Sequence, residues 1–314
     1  MIDWTDQWCR HFHRILSHRA RLYTEMIPSP ALVHGNREKL LGFEPGMAPV
    51  ALQLGGSDPA ELAQCAKWGE EAGFDEINLN CGCPSERVQA GAFGAVLMLN
   101  PALVADCVKA MQDAVSIPVT VKHRIGVDDQ TSYEFVRDFV GKVADAGVRL
   151  FIVHARAAWL KGLSPKENRN IPPLDRTVVE KLKADFPSCY FVINGGINSL
   201  GECTEELKRF DGVMVGREAY NNPWMLSQVD SLLYGELPRA ITRTEVIAEM
   251  AEYIGWVQEK EPFATRTAAN HLMGLAQGLP GARAWRRELT DPASWKSRRV
   301  RDLILKAWEH VQER

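Results

Sequence analysis

Two thiols, Cys81 and Cys83, flank Gly82 and precede Pro84, where the alternating run Glu76-Ile77-Asn78-Leu79-Asn80 comes to an end. Alternation reads as a strand, and Gly82 and Pro84 do not continue one, so the thiols stand at a strand-to-loop corner. Cysteines in this spacing can pack, supply half of a zinc site, or do proton and nucleophilic chemistry. Zinc needs two further ligands, and no nearby Cys-x-x-Cys or His-x-x-x-His pair supplies them. A thiol of ordinary pKa, about 8.5, is mostly protonated near neutrality and can serve as a general acid.

Four other positions close apolar runs with a polar group: Gln53 after Val50-Ala51-Leu52, Lys122 after Val119-Thr120-Val121, His154 after Phe151-Ile152-Val153, and Asn194 after Phe191-Val192-Ile193. Singly, each is as well explained as a satisfied structural residue. Together, at the carboxyl ends of strands, they describe a polar ring around a barrel mouth. Gln53 can bond to the edge of a heteroaromatic ring, Lys122 can hold negative charge, and His154 can orient a ring or a phosphate. Glycines in Asn194-Gly195-Gly196 and Gly216-Arg217 let backbone amides approach a phosphate. The set suits flavin mononucleotide (FMN) better than a dinucleotide, because no Gly-x-Gly-x-x-Gly follows a strand.

Short β-rich runs alternating with longer amphipathic segments must hold these residues. Seven strands are expected, over about Leu22 to Met26, Val50 to Leu54, Glu76 to Asn80, Val119 to Arg124, Leu150 to His154, Phe191 to Asn194 and Val213 to Gly216. Helices are expected between them over Pro59 to Glu71, Pro101 to Val115, Ser132 to Ala146, Arg176 to Phe186 and Leu200 to Lys208, two of them started by Asp58-Pro59 and Asn100-Pro101. This order predicts an α/β TIM barrel. A closed barrel has eight strands, so the first is expected upstream of Met1, which places the glycine corners after strands seven and eight, where such barrels often bind phosphate. After Trp224 the chain turns helical, with helices expected over Thr244 to Lys260, Thr265 to Gln277 and Val300 to Val311. The expected division is a barrel domain over residues 1–236 and a small helical domain over 237–314.

With 314 residues and 46% apolar content, the chain suffices for both. It contains no apolar run of about 18 residues and no signal-peptide pattern, so a cytoplasmic protein with reduced thiols is expected. The net charge of −3 hides an asymmetry: from Leu237 onward, 13 Lys and Arg stand against 10 Asp and Glu, and within Arg266 to Lys306 the balance is nine against three. Such an excess is a footprint for a polyanion as well as a solvated helix face.

In order along the chain, Asp3-Trp4-Thr5-Asp6, Tyr23-Thr24-Glu25-Met26, Gln53-Leu54-Gly55-Gly56-Ser57, Asn80-Cys81-Gly82-Cys83-Pro84-Ser85, Val121-Lys122, Val153-His154-Ala155-Arg156, the run Leu163 to Pro173, Asn194-Gly195-Gly196-Ile197 and Gly212 to Arg217 make a set that resembles the bacterial tRNA-dihydrouridine synthases, in particular the subfamily acting at positions 20 and 20a. The resemblance implies an FMN enzyme that reduces the C5=C6 bond of a uracil in tRNA with electrons from NADPH. It implies that Cys83 protonates C5 while reduced flavin delivers hydride to C6. Met1, Gln53, Lys122, His154, Asn194, Gly195, Gly196, Gly216 and Arg217 match flavin contacts. Asn80 matches a residue facing the substrate, while Lys166, Arg169, Arg283 and Arg286 match contacts to tRNA. Members usually carry valine or a similar residue where Cys81 stands, so Cys81 is expected to pack. No protein partner is implied, and a monomer is expected. Two rival functions are a flavin enzyme acting on a free pyrimidine, which gives the basic tail no purpose, and an RNA-binding protein without flavin.

Overall fold

Asp58 and Asn100 do cap helices in the computed structural model, which describes residues 1–42, 46–297 and 299–312. The Asp58 carboxylate accepts from the Glu61 N–H at 2.9 Å and Asn100 Oδ1 from the Leu103 N–H at 3.3 Å, meeting donors that a first helical turn leaves open. The helices Pro59–Glu71 and Pro101–Ala114 turn Leu62 and Ala66, and Val104, Val108 and Met111, into the core. At Gly69 the first of these comes so close to the sheet that a Cβ would lie 2.6 Å from Leu52 and 2.8 Å from Ile77.

The seven strands are β1 (Leu22–Pro28), β2 (Val50–Gly55), β3 (Glu76–Cys81), β4 (Val119–Arg124), β5 (Leu150–His154), β6 (Tyr190–Asn194) and β7 (Gly212–Met214), in one sheet in sequence order. From β2 to β7 every pairing is parallel, and a helix lies between successive strands. This is the TIM-barrel order, as the alternation predicts. The last strand ends at Met214, earlier than expected, so Val215 and Gly216 belong to the loop. Register places Asn78 beside Thr120 and Asn80 beside Lys122. One set of alternate residues, including Ile77, Leu79, Val119 and Val121, is apolar and buried, while Glu76, Asn78, Asn80, Thr120 and Lys122 share the other face.

The expected domain boundary is corrected. One compact unit comprises Met1–Ile2 with Tyr23–Gly216, and the other Asp3–Leu22 with Arg217–Arg314. The helical unit therefore begins at Arg217 rather than after residue 236, and it includes an N-terminal helix, Gln7–Leu16. Asp230 explains why: its buried carboxylate accepts from Ser17 Oγ at 2.5 Å, from the His18 N–H at 2.7 Å and from the Arg19 N–H at 3.2 Å. Arg239 Nη1 adds a bond to the Ile15 carbonyl at 2.9 Å, and Trp4 stacks on Tyr220 at 4.4 Å between centroids. None of these pairs is local in sequence.

Further into this unit, Thr242 and Glu245 form a capping box that starts the helix Arg243–Lys260. The helix expected over Thr265 to Gln277 is α-helical only to Asn270 and continues as a 3₁₀ helix, His271–Ala276. Two contacts tighten it there. His271 Nε2 bonds to the Asp6 carboxylate at 2.9 Å, and a Cβ on Gly274 would sit 2.7 Å from the Asn221 carbonyl oxygen. Among the described residues no helix is long and apolar enough to cross a membrane.

Burial alone would raise the Asp230 carboxyl, but the Ser17, His18 and Arg19 donors outweigh it and hold the pKa below its ordinary value. Asp230→Ala should lower the unfolding free energy near neutral pH by about 2–3 kcal/mol, by leaving buried donors unmet. Because the folded pKa lies below the unfolded one, this contribution is complete above about pH 3.8 and lost as pH falls through the folded value. Urea melts of the two proteins across that window should therefore converge at the acid end.

Candidate active site

The end of β3 turns on one carboxamide. Asn80 Oδ1 accepts from the backbone N–H of Gly82 at 3.0 Å and of Cys83 at 2.9 Å, so a single side-chain oxygen closes the corner. Asn80 Nδ2 donates to Gln53 Oε1 at 2.9 Å, and Gln53 Nε2 donates to Asn78 Oδ1 at 2.8 Å. Behind the corner, the Ala95 N–H donates to the Cys83 carbonyl at 2.9 Å. Gly94 makes that approach possible: its φ is +77°, and a Cβ there would lie 2.6 Å from the Cys83 oxygen.

The two thiols are thereby placed in different surroundings. Cys83 is half-buried, with Sγ 3.6 Å from Ser85 Oγ. Cys81 is fully buried, and burial, with Cys107 nearby, pushes its thiol pKa well up. Cys81 packs, as expected, and a thiol so held is a poor nucleophile. Among the described residues no group of three or more His, Cys, Asp or Glu is arranged to hold a metal.

Two cations face this corner from β4. Lys122 Nζ donates to Asn194 Oδ1 at 3.2 Å, and Asn194 Nδ2 donates to the Met214 carbonyl at 2.8 Å, which links the ends of β4, β6 and β7. Desolvation first, and the Arg124 charge second, lower the Lys122 pKa to about 8 against the opposing effect of Cys83. Lys122 has no carboxylate partner among the described residues. Arg124 is buried, and burial, opposed by Cys83 and joined by the Arg169 and Arg156 charges, brings its pKa down to about 10.

His154 ends β5 beside Asn194 and is buried. Gly195 and Gly196 follow with φ of +111° and +67°, and a Cβ on Gly195 would strike the His154 ring at 2.7 Å. Only glycine fits that position. At the next loop a Cβ on Gly216 would lie 3.6 Å from Met1 Sδ, so Met1 also borders this corner. The barrel unit thus brings together Met1, Gln53, Asn80, Cys83, Lys122, His154, Asn194, Gly195, Gly196 and Gly216, while Arg217 opens the helix Arg217–Asn221 of the other unit.

Lys166 and Arg169 are exposed on the loop after β5. Asn168 between them is fully buried and organises that loop, with Nδ2 donating to the carbonyls of Trp159 at 2.9 Å and Leu163 at 3.1 Å and Oδ1 accepting from the Trp159 N–H at 2.7 Å. Arg124 joins loop and corner, giving Nε–H to the Gly82 carbonyl at 3.1 Å and Nη1–H to the Asn168 carbonyl at 3.0 Å. Gln89 Nε2 makes a second tie, to the carbonyls of Pro84 and Leu160, both at 2.8 Å. In the helical unit Arg283 and Arg286 are exposed on the helix Ala282–Thr290, whose other side buries Trp285 and Leu289.

The chain matches the dihydrouridine synthase (Dus) family over residues 1–309. It belongs to that family. Among its relatives, the tRNA-dihydrouridine(20/20a) synthase of Pseudomonas aeruginosa is 55% identical over 290 residues, 92% of this chain and 87% of that protein. The Escherichia coli protein of the same name is 55% identical over 294 residues, 93% of this chain and 85% of that protein. Morphinone reductase in complex with tetrahydroNAD shares the fold, with a TM-score of 0.51 at 10% identity over 78% of this chain and 86% of that one.

Four residues of this dihydrouridine synthase were missed by reading the sequence: Arg124, Asn168, Gln89 and Arg176. Arg124 carried a signal, since in a strand it shares a face with Lys122, two positions earlier. The other three act through backbone contacts with no local signature, as where Arg176 Nη2 donates to the Gly195 carbonyl at 3.0 Å.

Because Lys122 is half-buried with no carboxylate partner among the described residues, and desolvation depresses its pKa, Lys122→Met should raise the thermal midpoint of the ligand-free protein at pH 7. The folded pKa of about 8 lies below the ordinary 10.5. The gain should be complete below about pH 8 and gone above 10.5, and calorimetry across that range would show it.

Proposed function

We propose that this chain reduces the C5=C6 bond of uridine at position 20, and 20a, of tRNA to 5,6-dihydrouridine, with bound FMN and with NADPH as electron donor. The observation that carries this is a half-buried thiol, Cys83, clamped by Asn80 and facing the cations of β4. Family membership and the names of the relatives support the substrate.

The residues present fit a flavin phosphate ester. Lys122 is a half-buried cation with no carboxylate partner among the described residues, and Gly195 and Gly196 hold left-handed backbone where a side chain would intrude. Gln53, Lys122, His154 and Asn194 would hold the ring system, while Gly195, Gly196 and Gly216 would hold the phosphate, with Met1 at its border. A reduced flavin held by these residues would supply the hydride that C6 of the uracil takes up.

Cys83 gives its proton to C5, and the thiolate left behind is stabilised by the Lys122 and Arg124 charges. Asn80 keeps one amide hydrogen beyond the one given to Gln53 and can offer it to a uracil carbonyl. A uracil in folded tRNA must swing out to reach the thiol, and contacts to phosphates elsewhere on the tRNA supply the free energy. Lys166 and Arg169 of the barrel unit and Arg283 and Arg286 of the helical unit take that part.

Cys83→Ala should leave NADPH-driven flavin reduction intact and cut dihydrouridine formation by at least about 100-fold, the scale of a lost general acid. Mass spectrometry of tRNA nucleosides measures it, and retained product would show that another group donates. Replacing Arg283 and Arg286 together with alanine should weaken tRNA binding and flatten its salt dependence by about 1.5 in log–log slope, with NADPH oxidation in the absence of tRNA unchanged. Turnover of free uracil at a comparable rate would favour a small-molecule enzyme instead.

A further inference from the structure

The Asn80 clamp is one end of a hydrogen-bonded line that runs down the inside of the barrel. At the other end Glu76, buried at the start of β3, accepts from Tyr23 Oη at 2.9 Å and from Thr120 Oγ1 at 2.6 Å. Thr120 has one hydroxyl proton and gives it to Glu76, so its oxygen is left to accept, and Asn78 Nδ2 donates to it at 2.8 Å. That turns Asn78 Oδ1 toward Gln53, whose Nε2 donates to it. Gln53 Oε1 then faces Asn80 and takes its Nδ2–H, which leaves Asn80 Oδ1 for the two N–H groups of the cysteine corner.

The sense of this line is not free. A carboxylate can only accept and backbone N–H groups can only donate, so both ends demand the same direction. Each amide between them has one orientation that serves both neighbours. Glu76, Asn78 and Thr120 are at most 1% exposed and Gln53 and Asn80 at most 9%, so water offers little substitute. Glu76 and Asn80 are four residues apart on one strand, a separation of about 13 Å.

We propose that Thr120 and Glu76 are positioning residues for Cys83, setting from the far end of the barrel the amide orientation of Asn80 and so the geometry of the thiol corner. The same line presents Gln53 to the cofactor in one orientation. This rests on Cys83 being the proton donor of the proposed reaction, but the state of the corner can be read without tRNA or turnover.

Among the described residues the other six cysteines are buried, so Cys83 is the one accessible thiol. The test is its alkylation by iodoacetamide in the full-length protein at fixed pH, followed on the Cys83 peptide. Thr120→Val and Thr120→Ala both lack the hydroxyl, whereas Thr120→Ser keeps it. With the line cut, the orientation of Asn80 is held from the corner end alone and the corner loosens: Val and Ala should each speed labelling about fivefold, the scale of one buried hydrogen bond, and Ser should stay within about twofold of wild type. Having two hydroxyl-free variants of different volume covers the case in which one does not fold. In turnover, Val or Ala should lower kcat with KM for tRNA unchanged, and Ser should restore it. Labelling unchanged in Val and Ala, or raised equally in Ser, would overturn the proposal. If instead Cys83→Ala retained product formation, the proton-donor assignment would fail while the labelling result still decided whether the line positions the thiol.

Discussion

Polar side chains inside a barrel of parallel strands cost free energy unless each finds a partner, and the barrel unit is arranged around that demand. Strand alternation turns Glu76, Asn78 and Asn80 of β3 and Thr120 and Lys122 of β4 to one face. No helix covers the inside of a barrel, so these groups must satisfy one another or a ligand. They do so in a line from Glu76 to the cysteine corner, ending in a carboxamide oxygen that takes two successive backbone donors. The thiol corner is thus an extension of the interior packing and not a loop resting on the surface.

Charge follows the same rule with one gap. Arg124 meets its burial with carbonyl groups of Gly82 and Asn168, a neutral answer to a buried cation. Among the described residues Lys122 meets the Asn194 carboxamide and no carboxylate, and desolvation depresses its pKa. A cation left without a counter-charge in this way is what the proposed binding of a phosphorylated or electron-rich cofactor would call for. The ties made by Arg124 and Gln89 also bind the cysteine corner to the loop that displays Lys166 and Arg169, so the two parts of the barrel mouth that chemistry and RNA would use share a support.

The helical unit solves a different problem. Its segments come from both ends of the chain, and buried polar groups join them: Asp230 gathers Ser17, His18 and Arg19, while His271 bonds to Asp6 on one ring nitrogen and to Tyr220 on the other. Apolar packing completes it, with Trp285 set edge-on against Trp308 at 5.2 Å between centroids. This leaves the opposite side of the helix Ala282–Thr290 free to carry arginines.

By itself the sequence determined what local interactions determine. Alternation marked the strands, capping residues before proline marked helix starts, and glycines marked the corners after β6 and β7, because each depends on neighbours a few positions away. It also carried the family motifs. Tertiary structure alone decided the unit boundary, since Asp230 finds its partners more than 200 positions away. It alone decided which way each amide in the barrel points, because Gln53 and Asn78 are 25 positions apart and Lys122 and Asn194 are 72. Hydrogen-bond partners across strands depend on register and on what else is buried beside them, and a linear pattern holds neither.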